Sequence, residues 1–337
     1  MSLTTETYYD RQEFITELRL IDSIAGTTNL SSALPAATHP TPLRKLITPD
    51  SLLISGLTVT TFARFDDYLS KLCRIYLSRT PIKNIKFSDL PNKMQSSLTT
   101  RQLSSFSSKV KFKTDNSGNR IGEAQKVKEA LEFANKMALT PDGLVSSISE
   151  FTFLPNRFDL DIEDLREYLS SFGQDLGRLR DLLSALSRRT ASTSLNETFK
   201  RLRLNRDTAA HDTNHSLAST DLQTDIDSII DIAMAFEFLL AESAWRAREG
   251  TALDSKSIPI DTVPFLALQH EFDGSKHCLR HAKFKRALSR QSDLLEAYEA
   301  VMLKPRRYNG TDTQTPRGIL VLHGDRIIDW VTWNDFH

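Results

Sequence analysis

From Ser219 onward the chain carries a segment whose spacing dictates a long helix. Leu222, Ile226, Ile229, Ile230, Ala233, Phe236 and Leu240 recur at helical intervals and make one apolar face. Thr220 with Gln223 fits a capping box at its start, and Gly250 marks its end. The most apolar run, 226–245, is interrupted by Asp227, Asp231, Glu237 and Glu242, so it does not read as a membrane span. A helix of this kind must bury its apolar face against others.

The rest of the chain supplies those others. Residues 5–24 place Tyr9, Phe14, Ile15, Leu18 and Ile21 at roughly helical spacing. From about 26 to 49 the chain is rich in Thr, Ser and Pro, and Pro35, Pro40 and Pro42 exclude a regular helix there. A long helix is expected from about 50 to 77, another from 122 to 138, and two short ones or one interrupted helix over 161–172 and 174–187. Residues 82–120 are polar, with Lys109-Val110-Lys111-Phe112-Lys113 as a short basic strand-like run.

After about Ser257 the character changes. Residues 258–268 read as a strand and 289–303 as a helix. Gly318 to Leu322 and Arg326 to Val331 read as a hairpin around a Gly-Asp turn at Gly324-Asp325. The expected fold is mainly α: an N-terminal helix with a Pro/Ser/Thr-rich arm (1–49), a helical bundle (50–250) and a small α+β accessory domain (258–337).

Composition bounds the function. At 337 residues the chain has room for two or three cores, and Lys+Arg equals Asp+Glu at 43 each. With zero formal net charge, affinity for nucleic acid must come from a local patch. Two cysteines, Cys73 and Cys278, make no disulfide framework and suit a reducing cytosol. The N-terminus, with Glu6 and Asp10, is unlike a signal peptide. A cytoplasmic protein with no membrane partner is expected.

The chemistry-bearing segment precedes the long helix: Leu202-Arg203-Leu204-Asn205-Arg206-Asp207-Thr208-Ala209-Ala210-His211. Four residues separate Arg206 from His211, so an always-charged guanidinium and an imidazole that titrates near neutrality share one short stretch. Spacing alone is weak, because Arg317 and His323, with five residues between them, satisfy a looser form of the same pattern. That second pair falls in the expected hairpin, where strand period two puts both side chains on one face. Context distinguishes the first pair: a basic, apolar lead-in (Phe199-Lys200-Arg201-Leu202), helices before it and an amphipathic helix after it.

In these features the chain resembles the HEPN domains, small helical bundles many of which are metal-independent ribonucleases. It looks closest to the RiboL-PSP-like branch of ribonuclease toxins and phage-exclusion proteins. The likeness covers about 50–250, and its specific part about 195–245. Three positions depart from the pattern: Asp207 stands where many members have asparagine, Asp212 where glycine is frequent, and Thr213 where members silenced by nucleotidylation carry tyrosine.

The resemblance implies an endoribonuclease that needs no cofactor and acts as a homodimer, with the motifs of two chains facing one cleft. His211 would move protons to and from the 2′-hydroxyl and the leaving 5′-oxygen, and Arg206 would hold the scissile phosphate. Asp207 and Asn205 would orient them. A toxin–antitoxin or antiviral setting follows, with RNA (tRNA among the candidates) as substrate and an antitoxin or sensor protein as regulator. Between 178 and 206, basic Arg178, Arg180, Arg188, Arg189, Lys200, Arg201, Arg203 and Arg206 face acidic Asp181 and Glu197, a patch suited to phosphates. Arg188, Arg189, Lys200, Arg201 and Arg203 are the RNA-binding candidates. The alternative is a non-catalytic helical interaction or RNA-binding module, in which Arg206 and His211 merely brace a helix.

Two further groups stand out. His270, His277, Cys278 and His281 cluster in sequence, with His277 and His281 one helical turn apart, but no strong zinc pattern is present and no metal is expected. Basic Lys276, Arg280, Lys283, Lys285 and Arg286 make an RNA-contacting face an equal reading of that stretch. Trp330 and Trp333 read chiefly as core.

Overall fold

The computed structural model describes residues 6–27, 49–79, 119–136, 160–186, 194–211, 217–248, 265–281, 287–304, 316–324 and 326–336, with isolated positions over 88–113 and two short strands. Most of the described chain is helical, followed by a small mixed sheet. The helices are α1 (Glu6–Thr27), α2 (Pro49–Arg79), α3 (Asn92–Ser96), α4 (Glu123–Lys136), α5 (Ile162–Ser171), α6 (Leu176–Leu186), α7 (Leu195–His211) and α8 (Ser219–Arg248). Then come β1 (Phe265–Phe272), β2 (His277–His281), β3 (Ala287–Gln291), α9 (Leu294–Met302), the minimal pair β4 (Arg306–Arg307) and β5 (Thr313–Gln314), β6 (Gly318–His323), β7 (Arg326–Thr332) and a closing 3-10 turn, Trp333–Phe336. Among the described residues no helix is long and apolar enough to cross a membrane.

The chain divides into two compact units, one of Met1–Tyr68, Leu179–Phe238 and Ile260–His337, the other of Leu69–Arg178 and Leu239–Pro259. In the first, the sheet runs β3-β2-β1-β6-β7, antiparallel except where β1 lies parallel to β6. Leu266, Leu268, Leu279, Ile319, Val321 and Val331 pack on Ala297, Tyr298, Val301 and Met302 of α9 and on Tyr8 of α1. Asp293 starts α9 by accepting the backbone N–H groups of Leu295 and Glu296. Gly318 is a place where only hydrogen fits: a Cβ there would lie 2.9 Å from the Phe238 ring, which stacks on Phe265 at 4.7 Å. Phe14 of α1 stacks on Tyr68 of α2 at 4.1 Å, and Phe65 of α2 meets Phe199 of α7.

The polar heart of this unit is Arg11, fully buried on α1. It donates to Glu237 (3.0 Å) and Asp335 (2.7 Å), with Asp329 3.9 Å away. Farther along α1, Arg19 pairs with Asp227 at 2.7 Å and donates to the Ile327 carbonyl, while Arg326 of β7 pairs with Asp22.

In the second unit, Asp161 and Asp164 form a reciprocal capping box on α5. The helix ends at Phe172, where Gly173 takes φ 68°, and α6 then begins with Asp175 accepting the Arg178 N–H. Gln174, buried in that turn, donates to Ser243 at 2.7 Å, whose hydroxyl donates to the Phe172 carbonyl. Arg246 is held by Glu242 one turn earlier at 2.7 Å.

Four expectations need correction. His277 to His281 is a strand, paired antiparallel to β1, so its two outer histidines are not a helical turn apart. Ser289-Arg290-Gln291 belongs to β3, and the helix begins only after the Asp293 cap. Val110 and Lys111 are helical, not extended. The Thr220–Gln223 capping box does not form. The Asp221 and Leu222 N–H groups bond to the Ala218 carbonyl, leaving Thr220 inside α8, and Gln223 reaches the Asp22 carbonyl instead. The arm around 28–48, the segment 258–264 and Gly250 lie outside the described residues.

Candidate functional site

Ser194 begins α7, its hydroxyl accepting the Glu197 N–H at 3.1 Å. Phe199 and Leu202 are buried and fix which side of α7 faces inward. At about 100° per residue, Arg206 and His211 leave the helix about 140° apart. They accordingly meet different surroundings. Arg206 lies beside the inward face, its side chain 17% exposed, with its guanidinium 6.0 Å from the centre of the Phe62 ring. His211 is exposed at the C-terminal end of the helix.

Asp207 narrows that angular gap. Its carboxylate takes a 2.7 Å hydrogen bond from Arg206 Nη1 and lies 3.6 Å from Arg203 Nε. Because Asp207 precedes His211 by four residues, the two share one side of the helix. The carboxylate thus draws the guanidinium toward the side that carries the imidazole.

Asn205 does something else. Its amide donates to Asp225 Oδ2 of α8 at 2.7 Å, while Arg201 donates to Asp225 Oδ1 at 3.0 Å and to the Ser228 hydroxyl at 3.1 Å. Asp225 is nearly buried, and burial pushes its carboxyl above the ordinary range against the pull of Asn205 and Arg201. Arg201 and Asn205 thereby clamp α7 to α8. Asp225 had a legible signal: it lies between Leu222 and Ile226 on the apolar side of α8, where a carboxylate needs a partner.

The basic patch is more balanced than a count over 178–206 suggests. Lys200 pairs with Glu197, Arg180 with Asp181, Arg203 and Arg206 with Asp207, and Arg201 with Asp225; two of these carboxylates lie beyond the counted window. Arg178 is buried. Arg188 and Arg189, like Asp212 and Thr213, lie outside the described residues.

In the sheet, His270 Nε2 and His277 Nδ1 are 2.9 Å apart, the rings stacked across β1 and β2, and Phe272 flanks His277. Partial burial and the neighbouring His277 and His323 hold the His270 imidazole below its usual range. Cys278 is buried. No group of three or more His, Cys, Asp or Glu among the described residues is arranged to hold a metal ion. Arg317 precedes β6, and a register irregularity between Val321 and Leu322 separates it from His323.

No family model, curated protein or solved structure matches the chain.

Proposed function

We propose that this protein is a metal-independent endoribonuclease of HEPN type. The observation that carries the reading is the end of α7: an exposed His211 one turn beyond Asp207, which holds the Arg206 guanidinium at 2.7 Å. RNA brings its own nucleophile, so the protein need only shuttle protons and neutralise charge. His211 takes the 2′-hydroxyl proton or donates one to the leaving 5′-oxygen. Arg206 steadies the phosphorane-like charge, with Asp207 fixing its fork. The products are a 2′,3′-cyclic phosphate and a 5′-hydroxyl, and DNA, lacking the 2′-hydroxyl, is spared. A homodimer that brings two α7 ends together would supply one imidazole as base and one as acid. A cytoplasmic toxin or antiviral effector restrained by an antitoxin or a sensor protein is the setting this activity suits.

The second reading, a non-catalytic helical interaction or RNA-binding module, is favoured by the intramolecular engagement of Arg201, Asn205 and Arg206. One experiment separates them. Purified protein is incubated with total RNA and tRNA in EDTA, beside His211→Ala and Arg206→Ala. Cleavage by wild type alone, with cyclic-phosphate ends, is the expected result. Intact RNA in all three reactions would favour the interaction module.

A further inference from the structure

His270 and His277 stand seven residues apart in the chain, and the β1–β2 hairpin brings their rings together. On β1, Leu266, Leu268, His270 and Phe272 alternate onto one face. Leu268 lies opposite His281, His270 opposite Leu279 and Phe272 opposite His277, so His281, Leu279 and His277 continue that face on β2. The leucines join the core against α9. Toward the turn come the two histidines, where burial is only partial. They are diagonal neighbours across the ladder, a separation that aromatic side chains span. The rings lie 16° from parallel and bring His270 Nε2 to 2.9 Å from His277 Nδ1. Phe272 backs the His277 ring at 4.7 Å.

A neutral imidazole has one N–H and one lone pair. Of the two facing nitrogens one donates and the other accepts, so a single proton separates two potential ligand atoms. Through solvent, that proton can pass from the facing nitrogen to the other nitrogen of its own ring. Both facing nitrogens then present lone pairs, and the broad second torsion of histidine lets the rings turn toward a common point. With nitrogen about 2.0–2.1 Å from an ion, ligands at right angles are about 2.9 Å apart and tetrahedral ones about 3.3 Å. The observed spacing fits the right-angled positions. Tetragonal coordination by nitrogen and water selects Cu2+ or Ni2+ over tetrahedral Zn2+.

We propose that His270 and His277 chelate a divalent late first-row ion, Cu2+ or Ni2+, across β1 and β2, with water in the remaining positions. Two imidazoles and water make a smaller site than a group of three or more side chains, none of which is arranged to hold an ion among the described residues. Bound there, the ion ties β1 to β2. It stabilises the folded chain, because the unfolded chain does not hold the two nitrogens together. The cleavage proposed for α7 needs no metal, so the two readings fail separately: EDTA empties the histidine site and spares the cleavage.

Untagged full chain, stripped with EDTA and then dialysed free of it, is titrated with Ni2+ alone while heat and Tm are followed. One ion per chain should bind and raise Tm. His270→Gln and His277→Gln should each weaken binding about 100-fold, the loss expected when a two-point attachment becomes a single point. The control is His323, exposed on β6 next to Leu322, which pairs with Gln269. His323→Gln should leave the affinity unchanged. Equal affinity in wild type and His277→Gln overturns the proposal, as does an equal loss in His323→Gln. Pulsed electron paramagnetic resonance of wild type with one equivalent of Cu2+ counts the coordinated imidazoles and does not depend on any variant folding. Two are expected, and one or none overturns the proposal.

Discussion

Two arginine–carboxylate assemblies in this chain use the same functional groups with opposite consequences. On α7, Asp207 bridges Arg203, which is about half exposed, and the more enclosed Arg206. Around Arg11 the carboxylates of Glu237 and Asp335 are out of water. Solvent reaches Arg203 and Asp207 at the first assembly and weakens the attraction between them. At the second, solvent does not reach the charges, so the fold alone holds them in place.

Breaking each assembly makes the contrast measurable. Arg11→Met should cost about 3–5 kcal/mol, because it strands buried carboxylates that solvent cannot reach. Against a total stability of about 5–15 kcal/mol, that leaves a marginal protein. Arg203→Ala should cost about 0–1 kcal/mol, as exposed pairs do. Urea unfolding of both variants checks the pair of values. Equal losses would mean that burial does not separate the two assemblies.

What was legible in the sequence follows the range of the interactions. The β6–β7 hairpin was readable because its turn is local chemistry, with Gly324 at φ 60°. The apolar face of α8 was readable from periodicity. By contrast, Arg11 meets Glu237 across 226 positions and Asp335 across 324, and no local pattern announces such partners. The β2 and β3 segments have five residues each, too short for periodicity to tell strand from helix. For the candidate site, the residue types and the adjacency of Asp207 to Arg206 are visible in the sequence. The diversion of Asn205 to Asp225 was not, because it depends on how α7 docks on α8.

That docking gives an intermediate case. Asp225 is buried like Asp329 but serves one part-exposed arginine and one amide. Asp225→Ala should remove about 1–3 kcal/mol, leaving Asn205 and Arg201 without their acceptor, and urea unfolding would show it. A loss as large as that of Arg11→Met would place Asp225 with the buried cluster instead. Gly318→Ala tests packing without charge. The added methyl meets the Phe238 and Phe265 rings at 2.9 and 3.1 Å, and overpacking of this kind costs about 1–3 kcal/mol.

His211→Ala should have the smallest effect on the fold. The side chain is exposed at a helix end, and surface substitutions away from special features stay within about 0.5 kcal/mol. Its expected effect on RNA is total, because the imidazole moves the proton in the proposed cleavage. Arg206→Ala differs in kind, since it also removes the contacts with Asp207 and Phe62 and should lower Tm as well as activity. The pair of variants therefore sharpens the contrast within α7 itself. Lost cleavage with unchanged Tm in His211→Ala marks a group serving chemistry alone. A drop in Tm comparable to that of Arg206→Ala would mean that His211 braces the helix, and the reading of α7 as a catalytic element would lose its main support.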